Sequence, residues 1–126
     1  MPTKVLLVDD SPTELKLMSA MLCDKGYRLL TASDGEEALQ KVAKHKPDVV
    51  LLDVILPKKN GFQVVRQIRT TPSVQSVRIV MVSSRSQGPD RLWGLMQGAD
   101  DYLCKPFTAE QLLASIGQDA CTTPEN

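Results

Sequence analysis

The sequence predicts an α/β fold, a five-stranded parallel sheet with helices packed on both faces. Three observations predict it. Short uninterrupted apolar runs, rich in valine, leucine and isoleucine, recur along the chain, as do strands buried on both faces of a parallel sheet. Segments with apolar residues at helical spacing separate these runs, so strand and helix alternate five times. The connections between them are short, which makes the crossovers right-handed.

The first strand is Lys4-Val5-Leu6-Leu7-Val8, and it ends in two carboxylates, Asp9-Asp10. Ser11-Pro12-Thr13-Glu14 starts a helix with three signals: Ser11 as N-cap, Pro12 at the first helical position and Glu14 completing a capping box. Leu15, Met18 and Leu22 follow at helical spacing, and Gly26 ends the helix. Arg28 to Ala32 is the second strand. Asp34-Gly35-Glu36-Glu37 opens a second helix whose apolar face is Ala38, Leu39, Val42 and Ala43, and which runs out before Pro47.

The central strand lies between Pro47 and Pro57 and carries an aspartate inside an apolar run. With Pro57 and Lys58-Lys59-Asn60-Gly61 as the following loop, Asp53 falls at or just past the strand's carboxyl end. A third helix runs from about Gly61, with Phe62, Val65 and Ile68 inward, to near Thr70-Thr71-Pro72. Val77 to Val82 is the fourth strand, ending at Ser83-Ser84. A weaker helix covers roughly Pro89 to Gln97; Gly94 within it and Gly88 before it lower its intrinsic stability. Asp101 to Cys104 is the fifth strand. Lys105-Pro106-Phe107 leaves it, and Thr108-Ala109-Glu110-Gln111 caps a last helix with Leu112, Leu113 and Ile116 inward. One domain over 1–118 and a short polar tail over 119–126, frayed at its end, complete the expectation.

Composition narrows the function. A chain of 126 residues, 42% hydrophobic, has material for one core. Its formal net charge is zero and it holds no run of Lys and Arg, which argues against nucleic acid as a partner. No signal-peptide core or membrane-spanning run is present, so the expected location is cytoplasmic, without a membrane partner. Cys23, Cys104 and Cys121 are odd in number and lack metal-ligand spacing, as suits reduced thiols. Trp93 reads as packing. His45, at a helix end between Lys44 and Lys46, reads as a solvated residue near the negative end of the helix dipole.

Ligands of open parallel sheets bind outside the carboxyl ends of the strands. The polar residues finishing the strands here are Asp9-Asp10, Asp53, Ser83 and Lys105. Three carboxylates together repel one another unless a cation sits among them, and an all-oxygen set suits Mg²⁺. A lysine and a hydroxyl at the same edge are what phosphoryl oxygens require. A carboxylate free to attack phosphorus would form an acyl phosphate.

On these residues the chain resembles the receiver domain of two-component response regulators, the CheY-like family, from Lys4 to about Gly117. The matching motifs are Val8-Asp9-Asp10, Leu51-Leu52-Asp53 with Pro57 and Gly61 beyond it, Val82-Ser83-Ser84, and Lys105-Pro106-Phe107. The resemblance implies a flavodoxin-like, doubly wound sheet of strand order 2-1-3-4-5. It implies Asp53 as phosphoacceptor, supplied by a histidine kinase, with Mg²⁺ held by Asp10, by Asp9 directly or through water, by Asp53 and by the backbone carbonyl of Ile55. Lys105 would pair with the phosphoryl oxygens, beside a cis peptide bond to Pro106. Ser83 would bond the phosphoryl group and draw its loop inward, and Tyr102 would swing from solvent into the space vacated. A protein target would read the face made by the helix over Pro89–Gln97, the fifth strand and the last helix.

Ser83 stands where threonine is commoner, which keeps the hydroxyl. Ile55 and Arg85 take the two positions that flank the path of hydrolytic water in this family; the branched apolar Ile55 is expected to hinder that water and lengthen the phosphoryl lifetime. The expectation is a monomeric single-domain regulator, not an enzyme beyond slow self-dephosphorylation, in chemotaxis or pilus-based motility. Leu6-Leu7-Val8-Asp9-Asp10-Ser11-Pro12-Thr13-Glu14 leans toward the pilus type. The alternatives are a receiver-like module working without phosphorylation, which the complete acid and lysine set disfavours, and an aspartyl phosphohydrolase. Ile55, two residues after Asp53, disfavours the second by standing where such enzymes carry a general acid.

Overall fold

A computed structural model of the chain describes residues 3–83 and 95–116. Five strands, β1 (Lys4–Val8), β2 (Arg28–Ala32), β3 (Val49–Asp53), β4 (Arg78–Ser83) and β5 (Asp101–Cys104), alternate with helices α1 (Pro12–Leu22), α2 (Gly35–His45), α3 (Gly61–Arg69) and α4 (Ala109–Ile116). The strands form one sheet of order β2-β1-β3-β4-β5, and every neighbouring pair is parallel.

Both faces of this sheet are covered, which explains the uninterrupted apolar runs. Successive side chains of a strand point to opposite faces. Val5, Leu7, Val49, Leu51, Val80 and Val82 pack against Met18 and Leu22 of α1 and Leu112 and Ile116 of α4. Their neighbours Leu6, Val8, Val50, Leu52, Ile79 and Met81 meet Ala38 and Val42 of α2 and Val64, Val65 and Ile68 of α3. Each fully buried Leu or Val contributes about 1.5–3 kcal/mol by leaving water.

Several local expectations are corrected. Ala43 is exposed: one residue past Val42, it has rotated about 100° off the inward stripe. On α3 the buried positions are Gly61, Val64, Val65 and Ile68, an i, i+3, i+4, i+7 stripe; Phe62 is only partly buried at its flank. The capping box of α1 is half formed. Ser11 Oγ accepts the Glu14 N–H at 3.4 Å, but the Ser11 N–H goes to Asp9 Oδ1 at 2.9 Å, leaving nothing for Glu14 to return to. A complete box stands instead on α3, where Asn60 and Gln63 exchange two bonds of 3.0 Å.

A clamp that no sequence motif announces closes the end of α3. Arg69 donates from Nε to Gly98 O at 2.8 Å, from one terminal nitrogen to the carbonyls of Gln75 and Val77, and from the other to Asp100 Oδ2 at 2.8 Å. It ties α3 to the turns before β4 and β5. Gly98 has φ +115, and a Cβ there would meet Arg69 Cγ at 2.8 Å, so the clamp requires glycine.

Within the helix expected over Pro89 to Gln97, Leu95 and Met96 are helical and exposed; residues 89–94 lie outside the described residues. So do Ser84, Arg85, Trp93, Cys121 and the expected tail over 119–126. Among the described residues no helix is long and apolar enough to cross a membrane.

Candidate phosphoacceptor site

The sheet order places the strand ends in a row. Val8 pairs with Leu52 across β1 and β3, so Asp9 and Asp53 leave adjacent strands side by side. Asp53 pairs with Val82 on β4, and Ser83 pairs with Cys104 on β5, immediately before Lys105. Main-chain bonds hold the row: Val54 N–H to Val82 O at 3.1 Å and Lys105 N–H to Ser83 O at 2.7 Å. Gly61 lets α3 start against this edge; a Cβ there would lie 2.4 Å from Asp53 O.

Three carboxylates converge. Asp9, Asp10 and Asp53 each offer an oxygen within 4.8 Å of the others. Asp9 is almost wholly buried, at 1% exposure, Asp53 is half-buried and Asp10 is exposed, so the cluster opens to solvent on the Asp10 side. The Ile55 N–H approaches Asp53 Oδ1 at 3.4 Å, and Ile55 is 57% exposed. An all-oxygen set this close fits Mg²⁺.

Among the described residues one ammonium serves this cluster. Lys105 Nζ lies 2.9 Å from Asp9 Oδ2, 3.5 Å from Glu14 Oε1 and 3.9 Å from Asp53 Oδ2. Burial pushes the Asp53 carboxyl up to about 6, with Lys105 opposing and Asp9 and Asp10 reinforcing the rise. For Lys105, burial acts to lower the ammonium's pKa, but the bond to Asp9 and the charges of Asp53 and Glu14 outweigh it and the net shift is upward. The peptide bond between Lys105 and Pro106 is cis.

Strand alternation divides the remaining residues. Asp9, Asp53 and Lys105 have the parity of Leu7, Leu51 and Leu103, on the side of α1 and α4. Ser83 and Tyr102 share the other face; Ser83 is 1% exposed and Tyr102 2%. The expected start of Tyr102 in solvent is therefore corrected: it lies in the α2–α3 core, paired in register with Met81. Sequence reasoning misses Glu14 as a partner of Lys105. The signal is present in Asp9, two residues ahead of Ser11 and so able to take the N–H that a capping box needs.

The response regulator receiver domain family matches residues 5–117. Protein PilH of Pseudomonas aeruginosa is 41% identical over 113 residues, 90% of this chain and 93% of PilH. The chain spans about half the length of other curated relatives. The alkaline phosphatase synthesis transcriptional regulatory protein PhoP of Bacillus subtilis, 40% identical over 92% of this chain, is matched over 48% of its own length. Among solved structures, the chemotaxis response regulator CheY4 of Vibrio cholerae has a TM-score of 0.87 at 36% identity, covering 94% of this chain and 98% of that one. A CheX–CheY–BeF₃–Mg²⁺ complex from Borrelia burgdorferi matches with a TM-score of 0.86 at 29% identity, over 94% of this chain and 89% of the matched chain.

Proposed function

The chain belongs to the response regulator receiver family, and on that premise we propose that it is a phosphorylation switch: Asp53 accepts a phosphoryl group from a histidine kinase, and the phosphorylated form signals to a protein partner. The observation carrying this reading is the Asp9–Asp10–Asp53 cluster with the Lys105 ammonium 3.9 Å from the Asp53 carboxylate.

An ionised Asp53 oxygen attacks the phosphorus of the kinase phosphohistidine. The O–P bond forms as the N–P bond breaks, and the departing imidazole keeps the electron pair and takes up a proton. A carboxyl titrating near 6 is largely ionised at pH 7 and more basic than an ordinary aspartate, which suits a nucleophile. Asp9, Asp10, Asp53 and the Ile55 carbonyl are the groups that would hold Mg²⁺, which when bound offsets the charge of carboxylates and phosphoryl oxygens. Lys105 pairs with the new phosphoryl oxygens. Ser83, ending the strand next to that of Asp53, bonds them as its loop is drawn inward, and Tyr102, on the α2–α3 face, couples this to the face made by the expected helix over Pro89–Gln97, β5 and α4. No acid stands at Ile55 to activate water, so turnover is slow and the product state persists.

The test is intact mass after incubation with Mg²⁺ and acetyl phosphate. The wild type is expected to gain one phosphoryl group, lost in Asp53→Ala and when chelator precedes the donor; an unmodified wild type would overturn the reading. A role in chemotaxis or pilus-based motility, in keeping with the likeness to a chemotaxis response regulator, is the natural extension. It predicts altered motility on deletion.

A further inference from the structure

Among the described residues, Glu14 is a charged side chain of this edge that the chemistry above leaves unused. At the third position of α1 it has the spacing to return to the Ser11 N–H. Asp9 already holds that N–H at 2.9 Å, and the Glu14 carboxylate turns instead to Lys105, at 3.5 Å. The Lys105 ammonium thus stands among three acids, with Asp9 nearest and Asp53 farthest. Its side chain is only 17% exposed, so the carboxylates compete for three donor protons with little water to substitute. A group that adds negative charge at Asp53 must draw the same ammonium toward itself. Asp9, buried and bonded through both oxygens, is the fixed partner; Glu14, 33% exposed at the longer distance, is the one from which Lys105 can be withdrawn.

We propose that Glu14 is a positioning residue, which holds the Lys105 ammonium back from Asp53 and so sets how tightly an anionic phosphoryl group is retained there. The inference rests on the phosphoacceptor reading above and assigns Glu14 a part in it. The diverted cap supports it. A residue placed only to start the helix would face Ser11, whereas this one reaches across to the segment leaving β5.

Beryllofluoride, a phosphoryl mimic, is the probe, titrated calorimetrically with Mg²⁺ present. Glu14→Gln is expected to bind it about three- to fivefold tighter, the scale of a partly exposed ion pair. Glu14→Asp keeps the charge but withdraws it by one methylene, and is expected to follow Glu14→Gln. In a Lys105→Ala background, adding Glu14→Gln is expected to leave the affinity unchanged, because the effect runs through the ammonium. A merely structural role would move the melting temperature without this dependence on Lys105. Glu14→Gln binding like the wild type, or the same gain persisting without Lys105, overturns the positioning role alone. A wild type that takes up no beryllofluoride overturns the phosphoacceptor reading, and this inference with it.

Discussion

Arg69 and Lys105 each meet an aspartate oxygen, at 2.8 and 2.9 Å, and the resemblance ends there. Around Arg69 donors and acceptors balance. The guanidinium reaches three backbone carbonyls and Asp100, and Asp100 Oδ2 also accepts the Ile79 N–H at 2.8 Å. Around Lys105 they do not, since among the described residues one ammonium faces Asp9, Glu14 and Asp53, with Asp10 in the same cluster. A satisfied cluster of charges is architecture. An unsatisfied one stores repulsion that an incoming cation relieves, which is how the same residue types come to serve opposite ends.

The comparison breaks if the clamp proves dispensable. Arg69→Ala is expected to destabilise the protein by roughly 3 kcal/mol in urea denaturation, discounted for partial exposure of the pair, because several backbone carbonyls and Asp100 lose their donor together. Its Mg²⁺ affinity should match the wild type. A loss below about 1 kcal/mol would place Arg69 among ordinary surface ion pairs.

At the other cluster the sign reverses. The folded protein holds Asp53 near 6, above its unfolded value of 3.8, so the proton is bound more tightly in the fold. The stabilisation this gives is complete below about pH 4 and is lost as pH rises through 6. In chelator at pH 7.5, Asp53→Asn is therefore expected to be about 2 kcal/mol more stable than the wild type, with the advantage vanishing near pH 4. A variant no more stable at pH 7.5 would show that Lys105 already balances the cluster.

Mg²⁺ sharpens the contrast further. At ten times its Kd it should stabilise the wild type by about 1.4 kcal/mol, read as a rise in melting temperature. Asp10→Ala should lose most of that gain, while Arg69→Ala keeps it. The smallest effect concerns the exposed Ile55 side chain. Ile55→Asn is expected to speed loss of the phosphoryl group several-fold, about 1 kcal/mol in the barrier, by admitting water beside Asp53. An unchanged decay would remove Ile55 from the control of lifetime.

Much of this is legible in the sequence, for a physical reason. Strands buried on both faces must be apolar at every position, so Asp53 inside such a run is conspicuous, as are Asp9 and Lys105 at the ends of others. Strand order comes from the family resemblance, because the apolar runs carry no record of which strand lies beside which. Ala43 and Val64 are easily misassigned because adjacent apolar residues on a helix differ by only one step of rotation. The Arg69 clamp is invisible because its partners are mostly backbone carbonyls, which every sequence supplies alike. Glu14 is misread because its rival, Asp9, sits outside the four-residue window that defines a capping box.

The contact between Lys105 and Asp9 joins residues 96 apart in the chain. A growing polypeptide that has already paired β1 with β3 has assembled the acids but owns no lysine to set among them. The ammonium can take its place only once β5 has been made and paired with β4. The complete cluster of charges is thereby deferred until synthesis has passed Lys105, and a copy cut short of it holds the acids without that counter-charge.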